Sequence, residues 1–293
     1  MNNKDTLIIK ASYTSFDEYI NNKIKEQNLC DLFEFSFENS NVVEKLKTII
    51  KLSTLTHKYN NVIIFEEIGL AKIIRLNCKN KPNIFFWNTI NDNISKSIEQ
   101  LKEMFNLWTF DYNDSKKYSI NLTQQFYFNI ENKTNTIDND MYFVGEDKNR
   151  FEQLKQIIDH SSKHNLKCNI NMLSDSNTIY DEKYKDIYIN EYIPYTTVLN
   201  SISKSKAIID ITKENQNGLT LRVLEAIFMN KKLITNNSNI KNEFFYDPNK
   251  IYIIEDDKYE SLDRFINSGK IEYDKKTKEY YSFENWLNNF RNH

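Results

Sequence analysis

The most informative segment of the chain covers residues 207–236, AIIDITKENQNGLTLRVLEAIFMNKKLITN. A short apolar run is followed by a polar loop, a glycine, a longer apolar segment with helical spacing and a second short apolar run. This order predicts a strand, a loop, a helix and a second strand. Gly218 precedes the helix, where a glycine lets backbone N–H groups turn toward an anion. Because a helix amino end offers free N–H groups and partial positive charge, the segment predicts a phosphate site.

The predicted helix, residues 219–230, has apolar side chains around most of its circumference and should be buried on nearly all sides. Arg222 and Glu225 share one narrow stripe of it. Ionisable groups on a buried helix are costly unless they are paired or bind a ligand. They are therefore expected either to form an i,i+3 ion pair, or to contact a diphosphate through Arg222 and ribose hydroxyls through Glu225. Lys231, just after the helix, is expected to be a loop lysine screened by water.

The same alternation of short apolar runs and helix-period segments continues along the chain, which predicts parallel sheets covered by helices on both faces. Strands are predicted at residues 7–11, 32–37, 62–65, 84–87, 107–110, 142–144, 168–173, 187–189, 207–211, 232–235 and 251–254. Helices are predicted at residues 41–58, 94–105, 150–163, 196–203, 219–230, 259–268 and 276–292.

A polar, aperiodic segment at residues 130–140 is predicted to link two such series. The sequence therefore predicts an α/β protein with two Rossmann-like, doubly wound domains that face each other across a cleft. The first domain is placed at residues 1–135 and the second at residues 136–275. Residues 276–293 are expected to form a helix that crosses back to the first domain or packs against either half.

Composition narrows the classes of partner. The 39 basic and 41 acidic residues nearly cancel, to a net charge of −2, so no charge excess favours nucleic acid. The three cysteines, Cys30, Cys78 and Cys168, are far apart and lack metal-ligand spacing. The first residues do not resemble a secretion signal, and no apolar run is long enough to span a membrane. We expect a cytoplasmic protein, with peripheral contact at the inner face of the membrane compatible with this pattern.

Residues 205–237 resemble the donor site of bacterial lipopolysaccharide and capsular polysaccharide glycosyltransferases of the GT-B fold. The similarity extends over most of residues 84–255 and includes FFWNTI at 85–90 and YFVGEDKNRFEQL at 142–154. Residues 1–80 match only in their rhythm of strands and helices. The residues that carry the resemblance in its most specific part are Gln216, Gly218, Leu219, Thr220, Arg222, Glu225, Lys231, Lys232, Leu233, Ile234, Thr235 and Asn237.

This resemblance implies transfer of a sugar from a nucleoside diphosphate sugar to a glycan or lipid-linked glycan acceptor of the cell surface. It implies no cofactor, and no metal either, since the Asp-x-Asp run at residues 138–140 lies in the predicted linker and not in the setting of a metal-binding motif. Arg222, Arg150 and the helix amino end would instead neutralise charge on the leaving diphosphate. The donor-binding residues carried over from the family are Gly145, Arg150, Gly218, Thr220, Arg222 and Glu225.

The first domain would supply a base to an inverting enzyme. Glu66, Glu67 and Asp111 each follow a predicted strand and are candidates, with a solvated loop carboxylate as the alternative for each. The family often has Asp where this chain has Asn88, which cannot act as a base. Trp87 is a candidate for the acceptor pocket, or else a core aromatic residue.

Other functions are less well supported. No G-x-G-x-x-G run and no phosphate loop occurs, so a dehydrogenase or a P-loop nucleotidase is not indicated. A nucleotide-sugar epimerase and a non-catalytic sugar-nucleotide-binding protein remain as alternatives. His160 and His164 have the i,i+4 spacing of metal ligands, but without a third ligand a solvated helix end is the preferred interpretation.

Overall fold

The structure is a computed structural model that describes residues 4–130, 136–174, 182–212 and 218–291. The chain divides into two compact units, Met1–Phe126 with Tyr281–His293, and Tyr127–Tyr280. The sequence analysis placed the ends of the two domains at residues 135 and 275 instead. The division lies at Phe126 because its ring packs 4.5 Å from that of Trp286 in the first unit, whereas the hydroxyl of Tyr127 contacts Tyr195 in the second.

The first unit holds a six-stranded parallel sheet in the order β2-β1-β3-β4-β5-β6. Its strands are β1 (Thr6–Ala11), β2 (Asp31–Phe35), β3 (Asn61–Phe65), β4 (Asn83–Phe86), β5 (Asn106–Thr109) and β6 (Asn121–Leu122). Its first six helices are α1 (Ser15–Gln27), α2 (Val42–Thr56), α3 (Ile68–Ile74), α4 (Asp92–Ser95), α5 (Ile98–Met104) and α6 (Tyr112–Tyr118), with a 3₁₀ turn at Arg75–Asn77 after α3.

The second unit holds another six-stranded parallel sheet, in the order β12-β11-β10-β7-β8-β9. Its strands are β7 (Asn139–Glu146), β8 (Cys168–Leu173), β9 (Tyr188–Ile189), β10 (Ser205–Asp210), β11 (Lys232–Thr235) and β12 (Ile251–Ile253). Its helices are α7 (Phe151–Lys163), α8 (Tyr195–Ser203), α9 (Leu221–Met229), α10 (Ile254–Asp257), α11 (Leu262–Asn267) and α12 (Lys275–Tyr280), while α13 (Phe283–Asn289) returns to the first unit.

Each sheet has one switch point, a pair of neighbouring strands from which the helical connections run toward opposite edges of the sheet. In the second unit this switch point lies between β7 and β10, and the strand order is that of a Rossmann fold. In the first unit it lies between β1 and β3. Ligands of open α/β sheets bind at the carboxyl ends of the strands beside such a point. The topology therefore predicts ligand sites at the carboxyl ends of β1, β3, β7 and β10.

All predicted strands are present, and the prediction of an α/β fold with two parallel sheets is confirmed. Two of the predicted long helices were wrong. The predicted helix 94–105 is broken into α4 and α5 at Ser97, whose ψ of 0° is not helical. The predicted helix 276–292 ends at Tyr280, and a new helix begins after Ser282, whose side chain accepts a hydrogen bond from the backbone N–H of Asn285.

The returning segment completes the core of the first unit. The indole of Trp286 is fully buried, with its ring centroid 5.6 Å from that of Phe65 and 5.2 Å from that of Phe85. Phe290 packs 4.7 Å from Trp108. Edge-on and tilted pairs of this kind add to the free energy gained by burying each ring. Residues 281–291 are therefore part of the first unit's interior.

Two further features considered in the sequence analysis are the cysteines and the possibility of membrane-spanning helices. Cys30 and Cys78 are buried free thiols and Cys168 is partly buried. Burial raises the pKa of the Cys30 thiol to about 12, which keeps it protonated. Among the described residues, no helix combines the length and apolar character that crossing a bilayer requires.

Candidate functional site

The switch point of the second unit carries a cluster of charged residues. Asp210 is the last residue of β10, and Gly145 lies one residue before the end of β7. Arg150 directly precedes α7, and Arg222 is the second residue of α9. Because β7 and β10 are hydrogen-bonded neighbours, these four residues come together although they are far apart in sequence.

Arg222 is held on three sides. Its Nη1 lies 3.4 Å from the Asp210 carboxylate, and its Nη2 donates to the carbonyl of Val144 at 3.1 Å. The guanidinium carbon lies 5.0 Å from the ring centroid of Phe143, a cation–π contact. The side chain remains 17% exposed. Asp210, rather than Glu225, is thus its ionic partner, and the guanidinium is fixed in position on a side chain that is not fully buried.

Gly145 makes room for that guanidinium. A Cβ atom at this position would lie only 2.7 Å from Nη2 of Arg222 and 3.4 Å from the ring of Phe143. Any side chain would have to displace Arg222 from the strand. The glycine therefore permits a close approach of the arginine, and its role is not that of a positive φ angle.

Asp210 organises the cluster and was not identified from the sequence. It is 1% exposed, and its carboxylate accepts a hydrogen bond from the hydroxyl of Thr220 at 2.8 Å. The hydroxyl of Thr235 in β11 approaches the other oxygen at 3.5 Å. A buried carboxylate needs such partners. The available signal was an acidic residue ending a buried apolar strand.

Thr220 and Gly218 lie at the beginning of α9. Thr220 occupies the N-cap position but makes no side-chain cap; its hydroxyl is directed to Asp210, to which it donates. The first N–H groups of α9 therefore do not receive the usual side-chain acceptor. Gly218 is buried, while Gln216 of the sequence motif lies outside the described residues.

Arg150 ties the two strand ends together. Its Nε donates to the carbonyl of Ile211 at 2.7 Å and its Nη1 to the carbonyl of Glu146 at 2.9 Å. Burial lowers the pKa of Arg150, and the charge of Arg222 lowers it further. Two guanidiniums therefore act on the same region, together with the carboxylates of Asp210, Glu146 and Asp147.

Glu225 lies deeper in the second unit. It is 3% exposed, and its Oε1 accepts a hydrogen bond from Tyr195 Oη at 2.6 Å. The Tyr195 hydroxyl also hydrogen-bonds that of Tyr127. Burial raises the pKa of the Glu225 carboxyl to about 7. Contact of Glu225 with a ribose stays a prediction; the tyrosines come from elements too distant for the sequence to have indicated them.

The expectation for Lys231 was wrong. Its side chain is buried, and its Nζ donates to the carbonyl of Ser203 at 2.7 Å and to that of Ser205 at 2.6 Å. Burial lowers its pKa to about 8. Lys231 thus joins the end of α9 to the beginning of β10 instead of standing in water.

Glu66 is the most constrained carboxylate at the switch point of the first unit. It follows β3 with a φ of 52°, in the left-handed region that non-glycine residues rarely adopt. Both carboxylate oxygens accept hydrogen bonds from Asn88, one from its backbone N–H and one from its side-chain amide at 2.9 Å. Burial raises the pKa of Glu66. Lys10, at the end of β1, is paired with Asp17 and adds a favourable charge.

The other carboxylate candidates have different surroundings. Asp111 is 2% exposed, and its Oδ1 caps α6 by accepting from the backbone N–H groups of Asn113 and Asp114 at 2.9 and 3.0 Å. It is therefore not a solvated loop carboxylate. Glu67 is half-buried and accepts a long hydrogen bond, 3.4 Å, from the hydroxyl of Tyr13. A role for either as a base stays a prediction.

Trp87 lies among aromatic residues. Its ring is 5.0 Å from that of Phe126 and 5.7 Å from that of Phe65, and it is half-buried. Its acceptor role also stays a prediction.

His160 and His164 stack on each other with centroids 4.2 Å apart, and no group of three metal-ligating side chains occurs among the residues described.

Comparisons with known proteins identify structural neighbours only. No family model and no curated protein matches the chain. The structure of HepE from Anabaena, in complex with UDP and glucose, aligns with a TM-score of 0.53 and 6% identity, over 99% of this chain and 98% of that one. An α1,3-fucosyltransferase solved with GDP gives 0.46 and 11%, over 99% and 90%, a similarity too weak for further argument. HepE shares the fold of two parallel α/β sheets.

Proposed function

We propose that the protein is a GT-B-type glycosyltransferase that moves a sugar from a nucleoside diphosphate sugar to a surface-glycan acceptor. The observation that carries the proposal is Arg222, whose guanidinium is fixed by Asp210 and Val144 at the switch point of the second sheet while its side chain stays 17% exposed. HepE, with which the chain shares its fold, was crystallised with UDP and glucose.

The donor diphosphate would bind between Arg222 and the amino end of α9. A guanidinium offers two parallel hydrogen bonds to phosphate oxygens, and a helix amino end offers N–H groups and a partial positive charge. Thr220, whose hydroxyl is directed to Asp210, gives those N–H groups no side-chain cap. Arg150, held nearby by two carbonyls, adds positive charge. These groups would stabilise the leaving diphosphate without a metal or a cofactor.

The attack on the donor needs a base if the configuration inverts. The acceptor oxygen would bond to the anomeric carbon, its proton would pass to a carboxylate, and the bond to the diphosphate would break, releasing the nucleoside diphosphate. Among the three candidates Glu66 has the strongest support, since Asn88 donates to both of its carboxylate oxygens and it directly follows β3 at the first unit's switch point. Asn88 would orient it.

The acceptor we propose is a glycan or lipid-linked glycan of lipopolysaccharide, capsule or O-antigen type. We further propose a cytoplasmic location at the inner face of the membrane, where such acceptors would be reached. The near-balanced charge of the chain gives no support to a nucleic-acid partner.

A thermal-shift screen of UDP- and GDP-sugars, followed by a transfer assay with surface-glycan fractions, tests the proposal. A donor that binds only the folded protein raises its melting temperature. Transfer of labelled sugar to the acceptor is the expected result. Epimerised donor sugar without acceptor would indicate an epimerase, and donor binding with neither transfer nor slow donor hydrolysis would indicate a non-catalytic binding protein.

A further inference from the structure

Helix α2 presents an apolar face to solvent. Val42, Val43, Leu46 and Ile50 are 72, 59, 52 and 62% exposed. At 100° per residue these four side chains lie within one sector of about 100°. The opposite side of the same helix packs into the core through Leu52, which is fully buried. Helix α2 is therefore apolar on both faces, and only one face is covered.

The neighbouring turn of chain extends the apolar surface. Helix α2 packs against α3 and the 3₁₀ turn after it. There Ile73 is 52% exposed and Leu76 is 92% exposed. Scattered single apolar residues are usual on a protein surface, but six on adjacent elements mark an interaction surface.

Basic side chains border this surface. Lys47 and Lys51 follow the apolar sector around α2, and Lys72 precedes Ile73 on α3; all three lysines are exposed. The one acidic residue of α2, Glu44, is used to cap the helix, where its carboxylate accepts from the backbone N–H of Asn41 at 3.0 Å. The surface is locally cationic although the whole chain has a net charge of −2.

We propose that this surface, the α2 face (Val42, Val43, Leu46, Ile50, Lys47 and Lys51), binds a bilayer that contains anionic lipids. An apolar sector flanked by lysines is the pattern of helices that lie in the membrane interface. A second copy of the chain is a poorer occupant, because a two-fold contact with the two α2 helices antiparallel would place the lysines of the two copies together. The binding requires neither donor nor acceptor and goes beyond the proposed transfer reaction.

Vesicle flotation of the full chain tests the proposal, with vesicles of phosphatidylethanolamine and phosphatidylglycerol in equal parts. The double variant Leu46→Glu/Ile50→Glu should no longer float with the vesicles. Lys47→Gln/Lys51→Gln should bind about 25-fold more weakly, at about fivefold for each lysine near an anionic surface. Matched controls are Ile137→Glu and Lys270→Gln, exposed residues of the second unit that should bind like the wild type.

The outcomes separate the possible occupants. Binding of the wild type that is weakened by salt and lost in both α2 variants supports the proposal. Equal flotation of the wild type and the α2 variants overturns it. So does a wild-type dimer, seen by sedimentation, that ignores vesicles and is dissociated by Leu46→Glu/Ile50→Glu. Unchanged melting temperatures exclude unfolding as the cause. Flotation is measured without donor, so a failure of the proposed transfer reaction would leave the membrane result unchanged.

Discussion

Arg222 and Gly145 are fitted to each other, since a Cβ atom on residue 145 would lie 2.7 Å from Nη2 of the arginine. Gly145→Ala should push the guanidinium away from the Val144 carbonyl and weaken nucleoside diphosphate binding while the fold is kept. Calorimetry with UDP and GDP measures this. Gly69→Ala is the matched control, because a Cβ there meets nothing within 4 Å and alanine favours the helix. Unchanged affinity in Gly145→Ala would remove the pair from the site.

Arg222→Ala should weaken nucleoside diphosphate binding by about 1.5–3 kcal/mol, the usual loss for a hydrogen bond to a charged group. Arg264→Ala, which removes an exposed arginine from α11, should bind as the wild type does. Lys231→Ala is unsuitable as a control because it would remove the two hydrogen bonds that the buried amine donates to the carbonyls of Ser203 and Ser205. Equal dissociation constants for the wild type and Arg222→Ala, measured by calorimetry, would contradict the proposed site.

Glu66→Gln should lower the rate of sugar transfer by about 10²–10⁴-fold, the range for loss of a general base, with donor affinity unchanged. Glu67→Gln is the matched control and should retain most activity. A similar loss in both variants, or none in Glu66→Gln, would argue against Glu66.

Asn88→Asp gives a second measurement on the same carboxylate. It would place a negative charge beside Glu66 in place of the amide that now donates to it at 2.9 Å. A like charge raises the pKa of a carboxyl, so the pH at which transfer activity appears should move upward. A pH–rate profile identical to that of the wild type would show that Glu66 does not titrate in the reaction.

Glu225 should make the stability of the protein depend on pH. The pKa of Glu225 in the folded protein, about 7, lies above the ordinary value of 4.5. The contribution of its protonated carboxyl to the free energy of unfolding is therefore fully present below about pH 4.5 and is lost as the pH rises through 7. The loss amounts to about 3 kcal/mol, at 1.36 kcal/mol per pKa unit. Glu225→Gln should show a smaller decline in unfolding free energy over this range by urea titration. Parallel curves for the two proteins would contradict the raised pKa.

Trp286→Ala should lower the free energy of unfolding by about 3–5 kcal/mol, as for other buried tryptophans. The exposed Tyr192→Ala is the control and should change it little. A small effect of Trp286→Ala in urea titration would show that the returning segment is not part of the core.

The strands were predictable because buried parallel strands are continuous apolar runs, which stand out in a chain rich in polar residues. Strand β6 was missed because it is two residues long, with both exposed. The break at Ser282 depends on a local cap that a helical pattern does not reveal.

The site was only partly predictable for a different reason. Arg222 and Gly145 could be named from the sequence, but their contact follows from the pairing of β7 with β10. Asp210 and Tyr195 also take part, through Thr220 and Glu225, which lie 10 and 30 residues further along the chain. Strand order is a property of the whole sheet, so a linear pattern does not contain these partners.

The course of the chain also bears on its biosynthesis. The second unit, Tyr127–Tyr280, is one uninterrupted insertion into the first, whose core needs Trp286 and Phe290. A ribosome therefore releases the whole of the second unit before the segment that completes the first. The second unit can fold during translation. Over the same time Phe65, Phe85 and Trp108 of the first unit lack the contacts that Trp286 and Phe290 later make with them. We therefore expect the second unit to fold first, which is the reverse of the usual amino-terminal-first order. Until the first unit is completed, its uncovered apolar surface should attract chaperones and promote aggregation.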